Sequence, residues 1–180
     1  MLLGLAIESI TGKSFADFIH SELALPLGLI DTGVCGTSNL PLPEGYGLPQ
    51  GMRMRPLHPS VVLSSGSLCS TASDLARWSH LLATGHAMLP ASYATMTTPA
   101  RLENGNVVPS GYALGVAVQH MLGHPVVWHN GAIDGFQSFL LYFLDQDIAV
   151  AVITNAFPAP AGGNPQLIAM AVANAALASL

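Results

Sequence analysis

Charged side chains are scarce in this sequence, and lysine is almost absent. Only 8% of the 180 residues are charged, about a third of the usual share, and Lys13 is the single lysine. Five basic residues within a net charge of −5 at pH 7 leave no positive stripe for a phosphate backbone, so we expect no nucleic-acid partner. Apolar residues make up 51%, and we expect part of that surface to face another segment, a partner or a ligand.

The sequence also lacks a long apolar run. The most apolar stretch, 165–180, contains Gln166 and Asn174 and falls short of the roughly 20 residues that a membrane-spanning helix needs. Met1 opens directly into a helical pattern, without the basic segment that begins a signal peptide. We therefore expect no membrane span in this chain.

Cysteine occurs only at Cys35 and Cys69. Two cysteines do not reveal a redox compartment. They can pair as a disulfide or remain two buried free thiols, and the sequence leaves both interpretations open.

Helical periodicity dominates residues 1–104, apart from a loop at 31–60 that is rich in proline and glycine and has no clear period. Capping residues mark several helix ends, because short polar side chains satisfy the free N–H groups of a first turn. We predict a helix over 2–10 stopped by Gly12, a second opened by Ser14 and ended before Pro26, a third between Thr71 and Gly85, and a short one over 91–97.

Residues 105–180 change to strand-like alternation followed by a final helix. Asp145-Gln146-Asp147 predicts a tight turn, so the two runs around it should form an antiparallel hairpin. Helices first, then an antiparallel meander, then a covering helix indicate an α+β fold. We predict strands over 112–119, 126–129, 138–144 and 148–154, and a helix opened by Asn164 or Pro165.

Two familiar kinds of catalytic site are poorly matched. His120, His124 and His129 are spaced H-x3-H-x4-H, but no carboxylate or thiol is near them in sequence, and a zinc site needs converging ligands with second-shell support. The serine-rich segment L-S-S-G-S-L has no G-x-S-x-G pattern. A Ser-x-x-Lys pair is absent, because Lys13 would need a serine at position 10, which is Ile10.

The segment 127–135 reads V-W-H-N-G-A-I-D-G. A short apolar run ends in an imidazole, an amide and a glycine, and a second glycine follows four residues later. This pattern is typical of a strand whose last residues line a cleft. Glycine lets a backbone approach a ligand closely, and histidine, here His129, is the side-chain type whose unperturbed pKa lies nearest to neutral pH.

Several segments together resemble the serine β-lactamase-like superfamily, which includes class C β-lactamases, D-alanyl-D-alanine carboxypeptidases and related esterases. The resemblance covers essentially the whole chain, and the matching pieces occur in the family's order. They are L-L-G-L-A-I-E-S-I-T-G-K-S-F, P-L-G-L-I-D-T-G, S-S-G-S-L-C-S-T-A-S-D-L-A-R-W, G-Y-A-L-G-V-A-V, H-N-G-A-I-D-G-F-Q-S-F and A-V-A-V-I-T-N. H-N-G resembles the family's third active-site motif, K-T-G or H-x-G.

The first two motifs of that family, Ser-x-x-Lys and Tyr-x-Asn, are absent here. In the family they precede the helix that this sequence opens with, so Met1 resembles an internal methionine of a longer protein. The resemblance therefore implies the C-terminal portion of a β-lactamase/transpeptidase-like fold. Residues 1–104 would supply part of the helical subdomain, and 105–180 the later strands and last helix of the α/β subdomain.

The resemblance implies acyl transfer, in which a serine attacks an amide or ester carbonyl of a small-molecule or peptide substrate. Within that scheme, His129 and Asn130 are the expected substrate-binding residues. Gly131 would let the substrate pack against the strand, and the backbone N–H of Ala132 would be one of two oxyanion-hole donors. No cofactor and no metal are implied, and a typical member would be periplasmic or extracellular.

The nucleophile would come from the missing N-terminal portion of the same protein or from an equivalent partner chain, so we expect the chain alone to be inactive. Two alternatives remain. The chain can be a truncated, non-catalytic module that binds a ligand or partner. It can also be an unrelated α+β protein with a histidine metal site.

Overall fold

The computed structural model describes residues 1–37, 40, 43–47, 51–55, 57–159 and 162–180. Its helices are α1 (Leu2–Thr11), α2 (Phe15–Phe18, continued by a π-helical segment, Ile19–Ala24), α3 (Pro59–Val62, followed by a 3₁₀ turn, Leu63–Ser65), α4 (Ala72–Ala83), α5 (Pro90–Met96) and α6 (Pro165–Leu177). Its strands are β1 (Gly33–Val34), β2 (Tyr46–Gly47), β3 (Met52–Arg53), β4 (Leu68–Cys69), β5 (Ala117–Met121), β6 (His124–Ile133), β7 (Phe136–Phe143) and β8 (Ile148–Thr154).

The predicted helix ends are confirmed where a local capping signal marks them. Gly12 adopts the left-handed conformation (φ 68°) that glycine tolerates and that ends α1. The side chains of Ser14 and Thr71 accept hydrogen bonds from the third residue of the helix that each precedes. Asn164 accepts in the same way at the start of α6.

Four strands form one antiparallel sheet in the order β5-β6-β7-β8. Each strand follows its neighbour through a tight turn, and the turn over 144–147 confirms the predicted hairpin between β7 and β8. Ile133 pairs with Phe136, so Asp134 and Gly135 are the two turn residues between β6 and β7. Gly135 has a φ of 82°, which a residue without a Cβ adopts at little cost.

The strand that we predicted over 112–119 is wrong in its first half. Residues 113–116 form a turn instead, closed by a hydrogen bond from the Ala113 N–H to the Val116 carbonyl oxygen. Gly115 takes a φ of 82° within it, and Tyr112 folds back to lie beside Ala117. Alternation of apolar residues continues across this turn, so the sequence pattern alone does not reveal it.

The sheet lies between two helices. One face packs against α6 through a fully buried cluster centred on Val126, Phe139 and Leu141. The other face, which carries Leu140 and Tyr142, packs against α4. Strand residues alternate between these faces, so α6 and α4 contact alternate residues of the same strands.

A disulfide joins Cys35 and Cys69 across the paired strands β1 and β4. Their Cα atoms lie 5.0 Å apart, within the range that a disulfide spans. The interpretation of two free thiols is therefore wrong. The bond connects the 31–60 loop, part of which falls outside the described residues, to the segment that leads into α4.

Helices packed on an antiparallel sheet confirm the α+β class. Among the described residues, no helix is long and apolar enough to cross a membrane. The division near residue 104 into two subdomains stays a prediction.

Candidate functional site

Strand β6 directs the residues of the H-N-G segment to opposite faces of the sheet. His129 and Gly131 pair with Leu140 and Ser138 of β7, on the face that carries α4. Asn130 pairs with Phe139, whose side chain belongs to the cluster under α6. The structure thus brings His129 and Gly131 to one face and places the Asn130 side chain on the other.

The backbone N–H of Ala132 points out of the sheet edge. Ile133 and Phe136 flank a two-residue turn, which makes them a hydrogen-bonded pair, and the next pair, Ala132 with Gln137, is then a non-hydrogen-bonded pair. In such a pair the N–H faces away from β7. Strand β5 pairs with β6 only as far as Trp128, so within the described residues this edge is open at Ala132.

A cleft of about 330 Å³ lies at the end of the sheet where β6 turns into β7, and it reaches Ile153 of β8. One wall is the turn between β6 and β7 with the residues around it, from Gly131 to Ser138. The other wall runs from Ser65 to Ser70 and includes the disulfide. Gly131 and Ala132 both line the cleft, so a ligand there can reach the edge of β6.

Gly131 leaves room that any larger residue would fill. A Cβ atom at this position would approach Ser138 Oγ to 2.7 Å, closer than real Cβ contacts come. Its missing side chain therefore keeps the cleft-side surface of β6 flat.

His129 borders a second, smaller cavity of about 230 Å³, which lies between the sheet and α4. Aromatic side chains from three elements line it: Trp78, Tyr93 and Tyr142. His129 is exposed to solvent at its rim, and its Nε2 atom lies 3.2 Å from the Tyr112 hydroxyl. The two rings are tilted by 57° with centroids 5.9 Å apart.

The sequence patterns do not identify Tyr112 as a site residue. The tyrosine is held by the turn before β5, where the Val118 N–H donates to the Gly111 carbonyl. A Cβ on Gly111 would lie 2.1 Å from the Val118 oxygen, so only glycine permits this approach. No sequence spacing signals the contact, because it depends on the chain folding back over residues 113–116.

Other candidate residues have different surroundings. No three of the described His, Cys, Asp and Glu side chains converge in a way that could hold a metal, so His120, His124 and His129 form no ligand set. Ser64 Oγ accepts a hydrogen bond from the Gly4 N–H at 3.0 Å, and Ser65 Oγ donates to the Val62 carbonyl at 2.6 Å. Ser64 thus connects the turn after α3 to α1, and Ser65 stabilises that turn.

Asp147 is the centre of a polar cluster at the far end of the sheet. It accepts hydrogen bonds from the Tyr142 hydroxyl at 2.6 Å and from His80 Nδ1 at 2.7 Å. The Tyr142 hydroxyl, then His80, hold the pKa of the Asp147 carboxyl below its ordinary value. Burial, followed by Asp147 itself, raises the pKa of Tyr142 well above its usual range.

The Beta-lactamase family model matches residues 1–175, and the chain belongs to that family of hydrolases. The alternative of an unrelated α+β protein is therefore wrong. The match spans nearly the whole chain, including the segment that contains His129 and Gly131.

Two curated relatives agree with this assignment. A D-aminopeptidase from Gluconobacter oxydans (strain 621H) is 22% identical over 170 residues, which are 92% of this chain and 32% of that protein. An unguisins hydrolase from Aspergillus campestris (strain IBT 28561) is 30% identical over 164 residues, which are 83% of this chain and 30% of that protein. The chain thus spans about a third of the length of these relatives.

A solved structure supports the fold. The octameric penicillin-binding protein homologue from Pyrococcus abyssi superposes with a TM-score of 0.80 at 24% identity, over 98% of this chain and 41% of that one. The chain therefore has the fold of the C-terminal part of penicillin-binding and β-lactamase-like proteins.

Proposed function

We propose that this chain is the C-terminal part of a serine hydrolase that cleaves an amide or ester by acyl transfer. The observation that carries the proposal is the open edge of β6, where Ala132 lines the cleft and its N–H is free of the β6–β7 ladder. A backbone N–H fixed on a strand is a preorganised donor, and such donors stabilise the oxyanion of a tetrahedral intermediate. The relatives named D-aminopeptidase and unguisins hydrolase support a peptide or small-molecule substrate.

His129 and Gly131 have supporting roles in this proposal. His129 stands exposed on the cleft side of the sheet, two residues before Gly131, and can donate a hydrogen bond to a substrate carboxylate. Gly131 lets the substrate backbone lie along β6 without meeting a side chain. Asn130 contributes through its backbone, because its side chain belongs to the opposite face.

The nucleophile and its base have to come from outside these 180 residues. The sequence contains no Ser-x-x-Lys, and its single lysine, Lys13, forms a salt bridge with Glu22 at the surface. In the complete enzyme the serine oxygen attacks the carbonyl carbon, and its proton passes to the base. The amine or alcohol then leaves with a proton, and water releases the acyl group from the serine.

Covalent probes test this proposal. A fluorophosphonate or penicillin reporter should leave the chain alone unlabelled, because no described serine that lines the cleft is hydrogen-bonded to a base. Ser21 contacts Lys13 and Ser60 contacts His58, but neither serine lines the cleft. Adding a segment that carries Ser-x-x-Lys and Tyr-x-Asn, joined in frame or supplied as a second chain, should produce labelling at the added serine. Labelling of any serine in the chain alone would contradict the proposal.

A non-catalytic binding module is the second candidate. The observation that favours it is the apolar lining of the cleft, where Leu68 and Ile153 remain 47% and 38% exposed. A partner or ligand that covers these side chains would gain the free energy of their burial. If the added serine-bearing segment binds tightly but no probe reacts, this candidate replaces the enzyme.

A further inference from the structure

Acidity decides which group donates the hydrogen bond between Tyr112 and His129. A phenol O–H is a stronger acid than a neutral imidazole N–H, so the better hydrogen bond has the tyrosine as donor and the imidazole nitrogen as acceptor. The 3.2 Å contact is made to Nε2. With Nε2 accepting, the proton of neutral His129 resides on Nδ1, whereas a free imidazole side chain in water prefers Nε2–H.

We propose that Tyr112 is a positioning residue that fixes the ring orientation and the Nδ1–H tautomer of His129. This inference rests on the proposed function for its catalytic meaning, since His129 is the substrate-orienting donor there. Tyr112 itself need not touch the substrate. It acts by deciding which nitrogen of the imidazole carries a proton on the cleft side of the sheet.

The surroundings of Tyr112 make it suitable for this role. Its backbone is held on both sides: the Ala100 N–H donates to its carbonyl, and its Cα lies across an isolated bridge from Ala117. Ala117 in turn pairs with Trp128, the residue before His129. Paired backbone therefore connects Tyr112 to the residue before His129 and holds the phenol close to the imidazole.

Trp128 completes the support from the other face. Its indole N–H donates to the Gln119 side chain at 3.1 Å, and its ring stacks on Phe139 with centroids 5.3 Å apart. Because the Trp128 side chain is held in this way, the backbone of β6 has a fixed orientation beside His129. The remaining freedom of the imidazole is its own side-chain rotation, which the Tyr112 hydroxyl restricts.

The test is the tautomer itself, read from ¹⁵N chemical shifts of histidine-labelled chain at a pH high enough that the spectrum shows only neutral imidazole. The His129 signal is assigned by its loss in His129→Gln. Tyr112→Phe should shift the ratio of Nδ1–H to Nε2–H about fivefold toward Nε2–H, the effect of one ordinary net hydrogen bond. The matched control is Tyr46→Phe, which removes a hydroxyl bonded to Glu44 and should leave the ratio unchanged.

An unchanged ratio in Tyr112→Phe overturns the inference, as does an equal shift in Tyr46→Phe. A second measurement uses the chain joined to a serine-bearing segment. There Tyr112→Phe should lower kcat for acylation in the wild-type background and add nothing to His129→Gln. If the joined protein is inactive but the tautomer shifts, the proposed function fails and the positioning role stands.

Discussion

Gly131 and Ser138 face each other across the β6–β7 ladder, and the Ser138 side chain occupies the space that a side chain at position 131 would need. A Cβ on Gly131 would lie 2.7 Å from Ser138 Oγ, which is its single close contact among the described residues. The flat surface of β6 at the cleft thus depends on a pair of small residues rather than on glycine alone.

Gly131→Ala should lower the free energy of unfolding by about 1–2 kcal/mol, because the added methyl group overpacks against Ser138 Oγ. The measurement is the urea midpoint of the chain. Adding Ser138→Ala should recover most of the loss, since it removes the atom in conflict. A double variant as unstable as the single one would show that the methyl group meets something other than Ser138.

Asp74 connects the start of α4 to the loop after the first helices. Its buried carboxylate accepts hydrogen bonds from the Asp31 N–H and the Thr32 hydroxyl, both at 2.9 Å. Asp74→Ala leaves the Asp31 N–H without its partner and the Thr32 hydroxyl with only Ser70 Oγ, and it should cost about 1–3 kcal/mol in thermal or urea unfolding. Asp74→Asn keeps a carbonyl oxygen in the same place and should cost less than half as much; equal losses would contradict the assignment.

The Cys35–Cys69 disulfide closes a loop with a sequence separation of 34. By the loop-entropy relation it should stabilise the chain by about 3–4 kcal/mol. Reduction should therefore lower the urea midpoint of the wild-type chain substantially. A Cys35→Ala/Cys69→Ala chain should start at the lower midpoint and show no response to reductant, and a response there would point to another target.

Acid should weaken the contact between Asp147 and Tyr142. The pKa of Asp147 is lowered in the folded chain from an ordinary value of 3.8, first by the Tyr142 hydroxyl and then by His80. A carboxyl whose pKa falls on folding stabilises the chain above its unfolded pKa, so this contribution is complete at neutral pH. It should be lost as the pH drops below 3.8 and through the folded pKa.

The variant that checks this pH dependence is Asp147→Asn. Asp147 has a φ of 53°, a conformation that asparagine also adopts readily, so the backbone should be retained. We expect a flatter stability profile between about pH 5 and 2 than for the wild-type chain. Asp145→Asn, in the same turn, should keep the wild-type profile.

Features set by neighbours in sequence were predictable. The Thr71 cap of α4 and the turn before β8 depend on residues within one or two turns of chain, and both were located correctly. The long-range partners of Asp74 are different, because Asp31 and Thr32 lie more than 40 residues away in the sequence. Such contacts follow from packing, which local propensity does not encode.

The candidate site also has a part that the sequence predicts and a part that it does not. The sequence pattern identifies the H-N-G-A segment, and strand alternation then places His129 and Gly131 on one face and Asn130 on the other. The contact between Tyr112 and His129 requires the fold-back at Gly115, whose φ of 82° leaves no mark in the apolar pattern. The sequence therefore predicts which residues form the wall of the site and misses the residue that orients it.

Ala132→Pro provides the sharpest test of the oxyanion role. Proline removes the N–H but is tolerated where that N–H is not part of a sheet ladder, and the outward N–H of Ala132 at an open edge meets this condition. In the chain joined to a serine-bearing segment, the acylation rate should fall about 10²–10³-fold. Ala132→Gly keeps the N–H, so its acylation rate should stay within about tenfold of the wild-type rate. If both variants lose the rate equally, the Ala132 N–H is not the donor, whereas a urea midpoint that collapses only for proline would show that the edge is paired in solution.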